Sequence, residues 1–132
     1  MSMTVHRLNP SDRMDGLVFD PRLDSEGRTS VGTYVCPCGA RVGFRTSHFI
    51  DGWVRGGGAR LRPEAAATMD AARRPDPARG EGALDFHCPD CRRPVRILYR
   101  AEEFGMAVYT YTVTEILEIP AACPPDSPPG HA

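Results

Sequence analysis

Two pairs of closely spaced cysteines are the residues of this chain best suited to chemistry. Cys36 and Cys38 lie in "YVCPCGARVGF", and Cys88 and Cys91 lie in "FHCPDCRRPVRILY". Each pair falls where a turn is expected between two short strands, because proline follows the first cysteine of each pair and Gly39 follows Cys38. Four thiolates brought together by two turns are the ligand set of a structural zinc site, in which zinc binds four ligands tetrahedrally. The sequence therefore predicts one Zn²⁺ ion on these four cysteines.

Other interpretations of the cysteines remain open at this point. A redox-active "CPDC" would need a helix starting at its second cysteine to lower the thiol pKa, whereas Pro94 and a strand pattern follow. An iron–sulfur cluster takes the same number of thiolates, and the cysteines could also be buried without a ligand. His48 is a substitute ligand near the first turn and His87 precedes Cys88, but we expect ordinary histidines at both positions. We expect Cys123 to be a free thiol.

With their flanking strands, "CPCG" and "CPDC" resemble the zinc-ribbon family, whose members hold zinc between two cysteine-bearing turns at the ends of β-hairpins. The resemblance covers only the residues around the two turns. The first pair is C-x-C rather than C-x-x-C, and residues 39–87 between the pairs imply an insertion. The resemblance implies structural zinc and an antiparallel sheet.

The residue pattern predicts a mainly β, small α+β protein built on an antiparallel, zinc-ribbon-like sheet. Strands are expected at "VGTYV", "ARVGFR", "PVRILYR" and "MAVYTYTVTEILEI", with a hairpin turn at "AEEFG". A bulge is expected near Glu115 in the longest strand. One face of that strand is expected to carry Tyr109, Tyr111, Val113, Leu117 and Ile119.

We divide the chain into three parts. Residues 1–30 are a turn-rich segment that packs on or leads into the domain. Residues 31–119 form the zinc-ribbon-like domain, with a loop or short-helix insertion at about 52–82. Residues 120–132 are a proline-rich tail that we expect to be disordered.

Two elements are expected in the less regular parts of the chain. The apolar run Leu17–Phe19 favours a short strand. Residues 63–74 favour a helix, since Pro63 suits the first helical position and Pro75 stops the helix. A mobile loop is the competing interpretation for these residues.

Charge is segregated along the chain, although the formal net charge is only −1. Residues 41–100 contain 12 arginines and 7 acids, whereas residues 101–132 contain 5 acids and no arginine. The net charge therefore gives no overall attraction to nucleic acid or membrane. The polar amino terminus lacks the apolar core of a secretion signal, and no apolar run approaches the ~20 residues of a membrane span. We expect a cytoplasmic chain with no membrane partner.

Function is expected to lie in binding rather than catalysis. Four thiolates close the shell of a metal ion, and no set of acid, base and nucleophile is evident, so we expect neither an enzyme nor a small-molecule substrate. The preferred hypothesis is a module that binds another protein, as an adaptor, a complex subunit or an inhibitor. The alternative is nucleic-acid binding, in which arginines pair with phosphates and aromatic rings stack on bases. The residues that would serve it are Arg41, Arg45, Phe49, Trp53, Arg55, Arg92 and Arg93. The competing interpretation is that the aromatic residues among them belong to the core and that the arginines balance nearby acids and thiolates.

Overall fold

The computed structural model describes residues 4–20, 31–55, 61–105 and 108–120, without the side chains of residues 31, 51–55 and 104. The elements in these ranges are β1 (His6–Leu8), β2 (Met14–Asp15), β3 (Val18–Phe19), β4 (Val31–Val35), β5 (Arg41–Arg45), α1 (Thr46–Arg55), α2 (Pro63–Ala72), β6 (Glu81–His87), β7 (Pro94–Gly105) and β8 (Val108–Glu118). Short 3₁₀ turns at Pro10–Asp12 and Pro77–Arg79 precede β2 and β6. The expected disordered tail, apart from its first residue, and Cys123 lie outside the described residues.

The described strands form two antiparallel sheets, which confirms the expected mainly β, small α+β class. The larger sheet has the order β1-β8-β7-β6, with β3 pairing to another part of β8, and the smaller sheet has the order β2-β4-β5. The two cysteine pairs therefore lie at the turns of two hairpins, β4–β5 and β6–β7, that belong to different sheets. No helix in the described ranges is long and apolar enough to cross a membrane.

The amino-terminal segment contributes strands to both sheets. β1 and β3 pair with β8, while β2 pairs with β4 through Met14 and Tyr34. The strand expected at Leu17–Phe19 is found at Val18–Phe19, and the Phe19 side chain is fully buried. Residues 4–20 are thus part of the core structure.

The long β7–β8 hairpin turns later than its sequence suggests. The turn predicted at residues 101–105 is wrong, because these residues continue β7 and Gly105 pairs with Val108. The bulge predicted near Glu115 is confirmed. Leu98 pairs with Glu115 while Tyr99 pairs with Val113, so one residue of β8 is left over.

The bulge exchanges the two faces of β8. Tyr111 and Val113 lie in the larger core, and beyond the bulge Ile116 takes that side while Leu117 and Ile119 lie in the second core. The single face expected for the apolar residues of this strand is therefore wrong. One extra residue inverts a pattern whose period is two.

The helix α1 covers the larger core and was not expected from the sequence. Phe49 is fully buried. Its ring centroid lies 4.2 Å from that of Phe19 and 4.9 Å from that of Tyr99. The Tyr99 hydroxyl donates a hydrogen bond to the Phe49 carbonyl oxygen at 2.9 Å. This helix carries apolar residues at positions 49, 50, 53 and 54, which is helical spacing.

The helix α2 covers the opposite face of the larger sheet. It begins at Pro63, as predicted, and ends at Ala72 rather than residue 74. Ala65 and Met69 are fully buried in the second core against Leu98. The described part of the expected insertion therefore packs on the sheet.

Gly82 lies opposite Tyr99, and a methyl group at position 82 would collide with that ring. A Cβ atom there would lie 2.7 Å from Tyr99 Cζ. We expect Gly82→Ala to lower the free energy of unfolding by about 1–3 kcal/mol, the usual cost of overpacking, as measured by urea denaturation. Gly43→Ala is the matched control, because a Cβ at position 43 meets nothing within 4 Å. Equal stability of the two variants would contradict the predicted collision between a methyl group at position 82 and the Tyr99 ring.

Candidate metal centre

The first cysteine turn, residues 36–40, is closed by two backbone hydrogen bonds. The Cys36 N–H donates to the Ala40 carbonyl oxygen at 2.9 Å, and the Gly39 N–H donates to the Cys36 carbonyl oxygen at 2.8 Å. Gly39 has a φ of +102°, a backbone conformation that residues other than glycine rarely adopt. The glycine that follows Cys38 therefore lets the chain curl back within one residue of the second ligand.

The second cysteine turn, residues 88–93, repeats this arrangement with one more residue. The Cys88 N–H donates to the Arg93 carbonyl oxygen, and the Arg92 N–H donates to the Cys88 carbonyl oxygen, both at 2.9 Å. Arg92 has a φ of +67° and so occupies the place that Gly39 takes in the first turn. The C-x-C and C-x-x-C turns therefore differ in length but close in the same way, with a residue of positive φ directly after the second cysteine.

The two turns bring four sulfur atoms together. The Sγ atoms of Cys36 and Cys91 lie 3.7 Å apart, those of Cys38 and Cys88 lie 3.5 Å apart, and all four lie within 4.8 Å of one another. Four sulfurs at about 2.3 Å from one tetrahedral ion would lie about 3.8 Å apart. Both separations are far longer than the ~2.05 Å of a disulfide bond. The predicted convergence of these cysteines is confirmed, and its geometry fits a single ion.

This geometry narrows the alternatives that the spacing left open. In iron–sulfur clusters the thiolates are divided between two or four irons, which spreads them farther apart than ligands of one ion. The compact sulfur group therefore favours a mononuclear site. Strand β7 begins shortly after Cys91, so the "CPDC" lacks the helix start that activates a redox cysteine.

The sulfurs are mostly removed from water. Cys36, Cys88 and Cys91 are buried, whereas Cys38 is exposed. Burial raises the pKa of the Cys36 thiol, because the charged thiolate loses its hydration. A cation would stabilise the thiolates in this place, and its binding would release protons.

A buried carboxylate lies beside the two turns and ties them to the amino-terminal segment. Glu118 is 1% exposed and accepts hydrogen bonds from Arg13 Nε at 2.7 Å, Arg93 Nη1 at 2.8 Å and the Tyr34 hydroxyl at 2.5 Å. Tyr34 lies two residues before Cys36, and Arg93 two residues after Cys91. The sequence pattern did not predict this group, because nothing local links residues 13, 34, 93 and 118.

Hydrogen bonds and neighbouring charges set the ionisation of this group. Burial alone would raise the pKa of Glu118, but the hydrogen bonds from Arg13 and Tyr34 and the charges of Arg13 and Arg93 outweigh it and hold that pKa below its usual value. Burial raises the pKa of Tyr34, which keeps its hydroxyl protonated as a donor. One carboxylate between two guanidinium groups leaves a net positive charge close to the sulfurs.

The two candidate histidines have other partners. His48 Nδ1 accepts the Arg45 backbone N–H at 2.8 Å. His87 Nε2 accepts the Arg62 backbone N–H at 3.2 Å, and its Nδ1 lies 3.1 Å from the Arg92 carbonyl oxygen. The sulfur group among the described residues contains neither histidine.

The residues expected to contact nucleic acid are scattered between core and surface. Phe49 is fully buried, so its assignment as a base-stacking residue is wrong. Arg93 is also wrongly assigned, because it is 9% exposed and pairs with Glu118. Arg41, Arg45 and Arg92 are exposed. Trp53 and Arg55 belong to α1, and their side chains are among those that the structure does not describe.

No protein-family model matches the chain, and comparison with curated proteins and with solved structures gave no match either. The resemblance to zinc ribbons therefore depends on the two cysteine turns and on their position in two hairpins.

The positive φ of Arg92 predicts a stabilising substitution. A left-handed conformation costs a non-glycine residue about 1–2 kcal/mol, of which the greater chain entropy of glycine would offset about 1 kcal/mol. We expect Arg92→Gly to raise the free energy of unfolding by up to about 1 kcal/mol in guanidinium denaturation. Arg92→Ala keeps the strained conformation and should give no gain. A similar gain in both variants would assign the effect to the lost charge.

The hydrogen bonds of Glu118 predict a large effect of removing its charge. We expect Glu118→Gln to lower the free energy of unfolding by about 3 kcal/mol, because two largely buried guanidinium groups lose their counter-charge. Glu102→Gln, an exposed position on β7, should change it by less than about 0.5 kcal/mol. Equal effects of the two substitutions in urea denaturation would contradict the role given to Glu118.

The lowered pKa of Glu118 predicts that the stability difference between wild type and Glu118→Gln depends on pH. Because the pKa of Glu118 is lower in the folded protein than the ~4.3 of an unfolded glutamate, its contribution is complete above that value and is lost as the pH falls through the folded pKa. The stability difference between wild type and Glu118→Gln should be constant near neutral pH and shrink below about pH 4. Comparing the two proteins at each pH removes the effect of acid on the thiols, which they share. A difference that stays constant into strong acid would contradict the prediction.

Proposed function

We propose that this chain is a non-catalytic binding module whose two hairpins are held together by one structural zinc ion on Cys36, Cys38, Cys88 and Cys91. The observation that carries the proposal is the convergence of these four sulfurs within 4.8 Å, from turns that lie far apart in sequence. Two cysteine turns at the ends of hairpins resemble a zinc ribbon, here with α1 and α2 between the hairpins. The reducing cytoplasm is the compartment that would keep the thiols free to bind metal.

Zinc is the metal that this donor set favours. Four thiolates in a tetrahedron are a common structural zinc shell, and they leave no open position for water or substrate. The metal would supply folding free energy, since structural zinc sites in zinc-finger peptides contribute about 10–16 kcal/mol at neutral pH. The shell supports a structural rather than a catalytic ion.

The acidic groups of the larger sheet support the same conclusion. Arg96 is 5% exposed and binds both carboxylate oxygens of Asp85, at 2.9 and 3.0 Å, and also Asp70 at 2.9 Å. Arg73 pairs with the buried Glu81 at 3.1 Å. These carboxylates line two clefts, of about 360 and 470 Å³, as members of ion pairs. Their place in ion pairs supports a structural role for these carboxylates, in line with a non-catalytic module.

The partner that we propose is another protein. The smaller sheet ends at β5, which offers a strand edge, and the chain's separated charges suit docking with a partner of defined charge. Nucleic-acid binding is less well supported, because the burial of Phe49 removes an expected stacking ring from the arginine-rich region.

Metal content is the direct test of this proposal. We expect protein purified under reducing conditions to hold one zinc ion per chain, as measured by elemental analysis with mass spectrometry. Substitution of Co²⁺ for zinc should give the strong absorption of a four-thiolate site. Cys88→Ser should lose the metal and the cooperative unfolding transition, because its Sγ is one of four ligands and is fully buried.

Cys123→Ser is the matched control and should retain both metal and stability, since Cys123 is expected to be a free thiol. A protein that folds equally well with and without a chelator would contradict the structural role. Iron bound with cluster absorption would contradict the choice of metal.

A further inference from the structure

The outer edge of β5 has main-chain groups that no described strand pairs with. Among the described residues β5 pairs only with β4, at one end of the smaller sheet. The Ala40 carbonyl oxygen accepts from Cys36 on the β4 side, whereas the Arg45 N–H points to His48. Because successive residues of an antiparallel strand direct their N–H and C=O groups to opposite sides, Arg41 and Gly43 direct theirs away from β4.

The side chains of the same edge form a basic surface with a gap. Arg41, Gly43 and Arg45 are all exposed and share one face of the strand. Neither arginine side chain has an ion pair or hydrogen bond with the rest of the described chain. A Cβ at Gly43 would meet nothing within 4 Å, so the space between the two arginines is open. The arginines lie about 13 Å apart along the strand, at ~3.3 Å per residue.

A second copy of this chain is a poor occupant of the edge. Antiparallel pairing of β5 with β5 about Gly43 would place Arg41 of each copy opposite Arg45 of the other. Like charges directly opposite each other destabilise strand pairing. The edge therefore favours a strand of opposite charge.

We propose that the outer edge of β5 binds an extended, acidic segment of a partner protein as an added strand of the smaller sheet. The segment carries two acidic residues four positions apart, which pair with Arg41 and Arg45, and a bulky residue between them that covers Gly43. Its main chain bonds to the N–H and C=O groups of Arg41 and Gly43. This proposal rests on the proposed function and names the partner's chemistry.

The cysteine turn gives this edge its rigidity. Arg41 begins β5 one residue after the first cysteine turn, whose hydrogen bond between Cys36 and Ala40 continues the β4–β5 ladder. On the inner face, the Phe44 ring packs on Phe86 of the other cysteine hairpin at 5.5 Å. The edge is thus held in an extended form before a partner binds, which lowers the entropy cost of docking.

The test uses the zinc-loaded, isotope-labelled full chain and a capped peptide with the core Glu-Val-Tyr-Val-Glu between Ser-Gly ends. We expect addition of the peptide, up to about 2 mM to reach weak affinities, to shift the amide resonances of Arg41–Arg45 and of the facing residues of β4. The same peptide with Lys in place of both Glu should bind about tenfold more weakly.

A double variant, Arg41→Glu with Arg45→Glu, reverses the charge of the edge and should reverse the peptide preference. It should bind the Lys peptide about tenfold better than the Glu peptide, provided that its spectrum shows the same fold. No shifts with the Glu peptide, equal shifts with both peptides, or shifts centred on β1 or β6 would overturn the proposal. A single-stranded oligonucleotide that shifts the β5 amides while the Glu peptide does not would also overturn it. Because the labelled chain is zinc-loaded and folded in every arm, such results leave the metal-held module intact.

Discussion

Four sulfur atoms from two hairpins meet within 4.8 Å at the boundary between two sheets. Three of the four cysteines are buried there, where a thiolate without a counter-charge would be costly. Around them the two sheets share one buried core, in which Tyr34 packs on Phe86 with ring centroids 5.4 Å apart. A cation shared by the four sulfurs would add a direct link between the two hairpins to this packing.

The Glu118 group is the second link at the same end of the molecule. It joins the amino-terminal segment through Arg13, β4 through Tyr34 and the second cysteine turn through Arg93. The position of Glu118 depends in turn on the bulge in β8, which places it on the face of Ile116 and the larger core rather than on the face that α2 covers. The ion pairs of Glu118 therefore join both hairpins that carry the cysteines, and they add the amino-terminal segment.

The parts of this structure that the sequence predicted are those specified by local chemistry. The cysteine turns could be recognised because cysteine, proline and glycine occur within a few residues of each other, and α2 because Pro63 marks its start. Helix α1 was not predicted, although the apolar residues at positions 49, 50, 53 and 54 recur at helical spacing. The predicted faces of β8 were wrong beyond the bulge, because one inserted residue moves every later side chain to the opposite face of the sheet. The Glu118 group depends on contacts between distant segments, which no local pattern encodes.

X-ray absorption at the zinc edge of the purified protein tests the central claim most directly, because it reports the atoms bound to the metal. The four-cysteine centre predicts a single shell of four sulfurs at about 2.3 Å, with no nitrogen or oxygen ligand. A shell with fewer sulfurs and added nitrogen or oxygen would contradict the assignment of Cys36, Cys38, Cys88 and Cys91 as the complete ligand set.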